Sequence, residues 1–276
     1  MRLVQMADQV RFRGMSTAEL RSTFLIEDLF EPGVVKLAYV DLDRTVIGSA
    51  VPLGSSLVLP CPEELRANSF TERRELGVFN IGGPGSVNID GESYELNHRD
   101  ALYIGRGHQS IAFSSADASS PAEFYLLSYP AHASYPTEKV DAAALTPLTI
   151  GAPEDANRRH ISKLIHLDGA KSCQLVMGFT RLEKGSVWNT MPPHTHMRRS
   201  EVYMYFDLPA EHRVVHLMGP AAETRHLVVA NKQVVISPGW SIHAGVGTCS
   251  YSFCWGMGGE NQVYTDMDAL KIAELL

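Results

Sequence analysis

Three histidines and one acid in this chain are spaced as ligands of a metal ion. They stand in Met191-Pro-Pro-His194-Thr-His196-Met-Arg-Arg-Ser-Glu201-Val-Tyr-Met-Tyr and in Ser237-Pro-Gly-Trp-Ser-Ile-His243. Residues two apart on a strand project to the same face, so His194 and His196 can aim both imidazoles at one point. Glu201 follows His196 by five positions, an odd interval that would flip its face in an unbroken strand. A turn or bulge is therefore expected around Met197 to Ser200. A fresh strand then returns Glu201 to the interior, Tyr203 and Tyr205 follow it at period two, and His243 arrives from a later strand after the Pro238-Gly239 turn. Three neutral imidazoles and a carboxylate suit zinc, iron, manganese, nickel or cobalt, with positions left for water or substrate. The chain has 11 histidines. His160, His166, His212 and His226 read as packed or surface residues.

Ligands brought together from separate segments need a framework, and the sequence supplies a β one. From Val34 onward, short β-branched and aromatic runs alternate with Gly, Pro, Asn and Asp: Val34 to Val40, Thr45-Val-Ile, Ser56-Leu-Val-Leu, Leu76 to Ile81 and Ser86-Val-Asn-Ile. Asp90-Gly91 before Ser93-Tyr-Glu-Leu is a hairpin signal. The pattern resumes at Cys173 to Thr180, Val202 to Phe206, His212 to Met218, Arg225 to Val229, Gln233 to Ser237 and Tyr251 to Trp255. Many short strands with frequent turns predict an all-β sandwich or barrel. Before them, Ser16-Thr-Ala-Glu19 resembles a capping box and predicts one helix in the stretch Ser16 to Leu29, with Leu20, Phe24 and Leu25 near one face. A short closing helix is expected over Asp266 to Leu275.

At 276 residues the chain allows one large or two moderate domains. Its 45% hydrophobic and 20% charged residues exclude a disordered, collagen-like or coiled-coil protein. The net charge of -7 argues against a nucleic-acid binder driven by overall charge. No apolar run has membrane-spanning length, and the first residues lack the build of a signal peptide, so a cytoplasmic location is expected. Cys61, Cys173, Cys249 and Cys254 form no CxxC pair and read as reduced thiols.

Residues 132–157, rich in Pro and small side chains, look like a connector between halves that resemble each other. Arg73-Arg74 can be laid on Arg198-Arg199, and, further on, Ile104 on Ile236 and Gly107 on Gly239. This argues for a duplicated β domain. In that alignment Leu76 takes the place of Glu201 and Ile111 that of His243, so the first half lacks the ligand set.

The motif HxHxxxxE with a later PGxxxH matches the two-part metal signature of the cupin superfamily. Over nearly its whole length the chain also resembles the bacterial 5-keto-4-deoxyuronate isomerases, the 4-deoxy-L-threo-5-hexosulose-uronate ketol-isomerases. The likeness is clearest in Glu72-Arg-Arg-Glu-Leu-Gly-Val, Asn80-Ile-Gly-Gly, His98-Arg-Asp-Ala-Leu-Tyr, Tyr135-Pro-Thr, Trp188-Asn-Thr-Met-Pro-Pro-His-Thr-His, Glu223-Thr-Arg-His and Trp255-Gly-Met-Gly-Gly-Glu-Asn-Gln-Val. It implies a bicupin, with residues 1–145 as arm and metal-free barrel and 146–276 as metal-binding catalytic barrel. It further implies a homohexamer, one zinc per subunit on His194, His196, Glu201 and His243, and conversion of 5-dehydro-4-deoxy-D-glucuronate to 3-deoxy-D-glycero-2,5-hexodiulosonate in pectin breakdown.

An aldose to ketose shift needs a base and a group to hold the enediolate oxygens, the second being a role for the metal. Candidates for the base are Glu260, Tyr203 and a hydroxide carried by the metal. The substrate's carboxylate calls for Arg198, Arg199 or Arg225, with guanidinium favoured for its paired donors. Competing readings are a metal cupin of other chemistry, such as a dioxygenase or another sugar isomerase, and a non-catalytic sugar-sensing bicupin.

Overall fold

Because side chains alternate faces along a strand, each half of this chain folds a sheet with one face turned to its own interior and the other to its twin. The computed structural model describes residues 1–276. The first half forms a seven-stranded sheet in which Val35–Val40, Thr45–Ala50, Phe124–Pro130, Arg74–Asn80 and Ala101–Ile104 are successive neighbours. Packed on it is a four-stranded sheet of Leu57–Val58, Ile111–Ser115, Gly85–Ile89 and Glu92–Leu96. The second half repeats this order with Arg159–Ile165, Val176–Leu182, Ser252–Gly258, Ser200–Phe206 and Val234–Ser237. Its smaller sheet is Trp188–Asn189, Ile242–Gly247, Val214–Gly219 and Arg225–Val229. The architecture is the expected all-β pair of jelly-roll barrels.

The apolar faces sort into three cores. Leu76, Val78, Leu102, Ile104, Ile111 and Phe113 fill the first barrel, and Tyr203, Tyr205, Val235, Phe253, Trp255 and Met257 belong to the second. Between the barrels lie Phe79, Tyr103, Leu127, Phe179, Val202, Met204 and Ile236. Each such side chain, fully buried, contributes about 1.5–3 kcal/mol. The buried Glu75 ties the barrels together: it accepts the Tyr103 hydroxyl and the N–H groups of Cys173, Gln174 and Leu175 at 2.7–2.9 Å.

These faces correct the repeat alignment at one place. Leu76 pairs with Ile104, and Glu201 pairs with Ser237. Ile104 points into the first barrel while Ile236 packs between the barrels. Ile104 therefore corresponds to Ser237, since a slip of one residue turns a side chain to the opposite face. Leu76 and Glu201 do occupy like positions, as do Ile111 and His243, each paired with an inward residue, Ile89 or Met218.

The expected capping box is present: Ser16 Oγ accepts the Glu19 N–H, and the Glu19 carboxylate accepts that of Ser16, opening the helix Thr17–Phe24. The chain then extends as Leu25–Ile26 and joins Val234–Ser237 of the second barrel. Phe12 and Phe24 meet Trp240 edge to face, with centroids 5.2 and 6.4 Å away, so the arm braces the turn that leads to His243. Residues 132–157 do more than connect. Glu138–Val140 edges the first sheet and Leu148–Ile150 edges the second. The closing helix expected over Asp266 to Leu275 is absent. Asp268–Ala269 is instead a strand paired with His194–Thr195, followed by the 3-10 turn Ile272–Glu274. All four cysteines are free thiols, and no helix is long and apolar enough to cross a membrane.

Candidate metal centre

The ligand loop is held against its neighbour by a close backbone approach. His194–Thr195 is extended, the chain bends at Met197 and Arg198, and Ser200–Phe206 begins the next strand, which is the break the odd spacing requires. The His196 N–H donates to the Gly239 carbonyl at 3.2 Å. A Cβ on Gly239 would stand 2.4 Å from the His196 carbonyl oxygen, so only glycine lets the two segments meet.

Four donor atoms close a ring. His194 Nε2 lies 3.1 Å from His196 Nε2 and 2.9 Å from His243 Nε2. Glu201 Oε2 lies 3.1 Å from His196 Nε2 and 2.9 Å from His243 Nε2. Atoms held at about 2.1 Å from one ion stand about 3.0 Å apart when they subtend a right angle at it. The ring therefore has the dimensions of a cation site, and three imidazole nitrogens aimed at one another find in a cation the partner their lone pairs lack. His243 Nδ1 faces the Ser241 carbonyl oxygen and the Ser237 hydroxyl, each at 3.4 Å, while its Nε2 points to the other ligand atoms.

Electrostatics favour the ligating forms. Burial pushes His194 down to about 3, with His243 adding to the shift, so this imidazole is neutral. Burial alone would raise Glu201, yet the His243 and His196 imidazoles hold it well below the usual carboxylate range. His216, beneath the site, is likewise lowered to about 3 by burial.

The ring opens on a cavity of about 400 Å³. Ile161, Phe253, Trp255, Met257 and Tyr264 give it an apolar wall, and Arg159, Lys163, Asn189, Thr190 and Tyr203 add polar groups. Tyr203 points inward as expected. Its hydroxyl is 3.1 Å from Thr190 Oγ1, and burial raises it far above the ordinary phenol range, so it is a proton donor at neutral pH.

The other candidates lie elsewhere. Glu260 is exposed and faces Arg198 at 3.4 Å, outside the cavity, because the chain turns outward at Gly259. Arg198 is held by Asp266 at 2.7 Å and by the Val263 carbonyl. Arg199 is buried on the same two partners. Arg225 donates to the carbonyls of Arg13 and Met15. None of these arginines lines the cavity. The residues missed are Arg159 and Lys163, whose signal was the same-face series Arg159, Ile161, Lys163 at the head of the second half.

The fold and this ring define a two-barrel cupin with one metal-ligand set, in its second barrel. The chain belongs to the KduI/IolB family, whose model matches residues 36–272. It is 53% identical over 265 residues to a 4-deoxy-L-threo-5-hexosulose-uronate ketol-isomerase of Kineococcus radiotolerans, covering 95% of each chain. To the protein of the same name from Dickeya dadantii it is 49% identical, again over 95% of each. It is therefore an isomerase of the intramolecular-oxidoreductase class. In fold it resembles an IolB-like protein of Salmonella typhimurium, with TM-score 0.71, 15% identity and coverage of 90% and 96%. It also resembles oxalate decarboxylase of Bacillus subtilis, with TM-score 0.60, 10% identity and coverage of 90% and 79%.

Proposed function

We propose that this protein is a zinc-dependent ketol-isomerase that converts 5-dehydro-4-deoxy-D-glucuronate to 3-deoxy-D-glycero-2,5-hexodiulosonate in pectin and polyuronate breakdown. The observation that carries the proposal is the closed ring of His194, His196, Glu201 and His243 at one end of a largely apolar cavity, in a chain whose relatives bear that name. The reaction moves a hydrogen from C2 to C1 while the aldehyde becomes an alcohol and the C2 hydroxyl a ketone. A divalent ion, when bound, would supply Lewis acidity to the reacting oxygens. His194, His196, Glu201 and His243 would hold it, with the His194 imidazole kept neutral by burial and the Glu201 carboxylate kept ionised by its imidazole neighbours. Tyr203 donates a hydrogen bond to a substrate oxygen and stabilises the charge that develops there. The apolar wall excludes water that would compete for the proton. Tyr203, and not Glu260, is the side chain we propose to act at the reacting oxygens.

The division into residues 1–145 and 146–276, with chemistry in the second part, belongs to the same proposal, as do the homohexamer and the cytoplasmic location. Sedimentation of the purified protein measures the assembly. A coupled assay on the unsaturated galacturonate product, with metal-free, zinc-restored and His243→Ala protein, tests the chemistry. Turnover is expected only after zinc is restored to the wild type, and metal-independent turnover overturns the mechanism.

A further inference from the structure

We infer that Arg159 holds the carboxylate of the substrate and so fixes which end of the sugar acid meets the metal ring; the assignment rests on the keto-uronate reading above. Arg159 lies on Arg159–Ile165 and is only 9% exposed, yet it lines the cavity shared with His194, His196, Glu201 and Tyr203. Its Nη1 donates to the Asn157 carbonyl at 2.8 Å. No carboxylate pairs with it. Its sequence neighbours Arg158 and His160, on the opposite face, take Glu183 at 3.1 and 2.8 Å. A buried guanidinium without a counter-ion is costly, and an anion brought into the cavity removes that cost.

The remaining cations of the region are less suited. Lys163 stands four residues along the strand, about 13 Å away at the usual rise. It is exposed, with its ammonium 5.7 Å from the centroid of the Tyr264 ring. Arg198, Arg199 and Arg225 are held by acids or carbonyls outside the cavity. Arg159 alone combines burial, a cavity position and free donors in the planar fork that matches a carboxylate. With the acid group there, the aldehyde and its neighbouring hydroxyl are left to face the ring and Tyr203. The site then selects uronates over neutral sugars by charge, since a neutral end would leave Arg159 uncompensated.

The test compares metal-loaded wild type, Arg159→Ala and Arg159→Lys on the keto-uronate and on its counterpart with CH2OH in place of the carboxylate. On the uronate, kcat/KM is expected to fall about a hundredfold or more in Arg159→Ala, chiefly through KM, and less in Arg159→Lys. On the alcohol, wild type and Arg159→Ala should agree within about twofold, and added guanidinium should restore uronate turnover to the Ala variant. Equal losses on both substrates, or an unchanged KM for the uronate, overturn the assignment. If Arg159→Ala loses its metal through misfolding, Arg159→Lys decides: a tenfold or so rise in KM supports the clamp and an unchanged KM overturns it. Absence of wild-type turnover on the uronate would refute the isomerase reading by itself. Calorimetric titration with galacturonate then judges Arg159 separately: about a hundredfold weaker binding by the variant supports it, and equal binding overturns it.

Discussion

The two barrels share strand order and pairing, but only one interior gathers a set of metal-ligand side chains. Where the first places Leu76 and Ile111, the second places Glu201 and His243, on the same faces of corresponding strands. Two substitutions do not make the whole difference. The second barrel also has the His194 to His196 segment, seated against Gly239 and paired with the C-terminal strand Asp268–Ala269. The first barrel fills its interior with apolar side chains, Phe70, Leu76, Ile111 and Phe113 among them, and contributes its outer face to the inter-barrel core. A metal site thus needs both inward ligands on rigid strands and a loop folded over them, and the scaffold alone supplies neither.

The largest expected effect comes from opening the ring. Glu201→Gln or His243→Ala should abolish stoichiometric metal by elemental analysis and lower kcat by about a thousandfold or more, because the charge stabilisation worth several kcal/mol goes with the ion. The matching change in the first barrel, Ile111→Ala, should leave metal content intact and cost about 2–5 kcal/mol in denaturant unfolding, the usual cost of a core cavity. Loss of metal from Ile111→Ala would break the comparison. Leu76→Glu should be worse for folding, by about 3–5 kcal/mol, since the new carboxylate would be buried with no imidazole to meet it.

How much of this was legible depended on whether a residue's role follows from its spacing. Period two placed His194, His196 and Tyr203 inside, and the odd interval to Glu201 located the bend at Met197 and Arg198. The same periodicity gives no protection against a slip: Ile104 resembles Ile236 because each stands three residues before a glycine, Gly107 or Gly239, one step out of the pairing register. The segment after Asp266 has a helical pattern of apolar residues, but its backbone serves to pair with His194–Thr195 and its Met267 lines the cavity. Tertiary pairing overrode local propensity there. Arg198 and Arg199 drew attention by standing beside the ligands, and both turn to Asp266, which is remote in sequence. Arg159 stands 35 positions before His194, and its one local mark is the same-face series it forms with Ile161 and Lys163.

Smaller effects sharpen the contrast inside the second barrel. Tyr203→Phe keeps the ring and removes one hydroxyl, so kcat should fall about ten- to a hundredfold with metal content unchanged. Acid should also reach the second barrel first. His216 is fully buried with its Nδ1 hydrogen-bonded to the Tyr205 hydroxyl at 2.7 Å, and its folded value of about 3 lies below the unfolded value of about 6.5. A depressed histidine leaves the unfolded chain binding more protons. Its stability contribution is therefore present above about pH 6.5 and declines as pH falls from there toward 3, by up to about 1.4 kcal/mol per pH unit. In the first half, none of His98, His108 and His132 is buried. Urea midpoints of metal-free protein between pH 7.5 and 5 should fall, and His216→Gln should flatten that slope by about one proton. An unchanged slope would show that His216 takes up its proton without unfolding.

The smallest expected effect concerns Glu260, the acid that sequence position favoured as a base. It follows the last strand of the second barrel, whose inward residues Phe253, Trp255 and Met257 do line the cavity. Continuing that alternation past Gly258 already turns the even position 260 away from the cavity. Gly259 ends the series: its φ of +143° turns the chain, and a Cβ there would lie 2.3 Å from the Arg198 carbonyl oxygen. Glu260 emerges at the surface with a 3.4 Å contact to Arg198, which keeps its stronger partners Asp266 and the Val263 carbonyl if the acid is removed. An exposed pair of this kind is worth about 0–1 kcal/mol. Glu260→Gln should therefore change kcat and KM by less than about twofold and leave the pH profile of kcat in place, whereas removal of a true general base costs about a hundredfold or more. A large fall in kcat, with a shifted acid limb, would mean that the segment after Gly259 folds inward over bound substrate, and the contrast between a chemical interior and an inert rim would have to be redrawn around it.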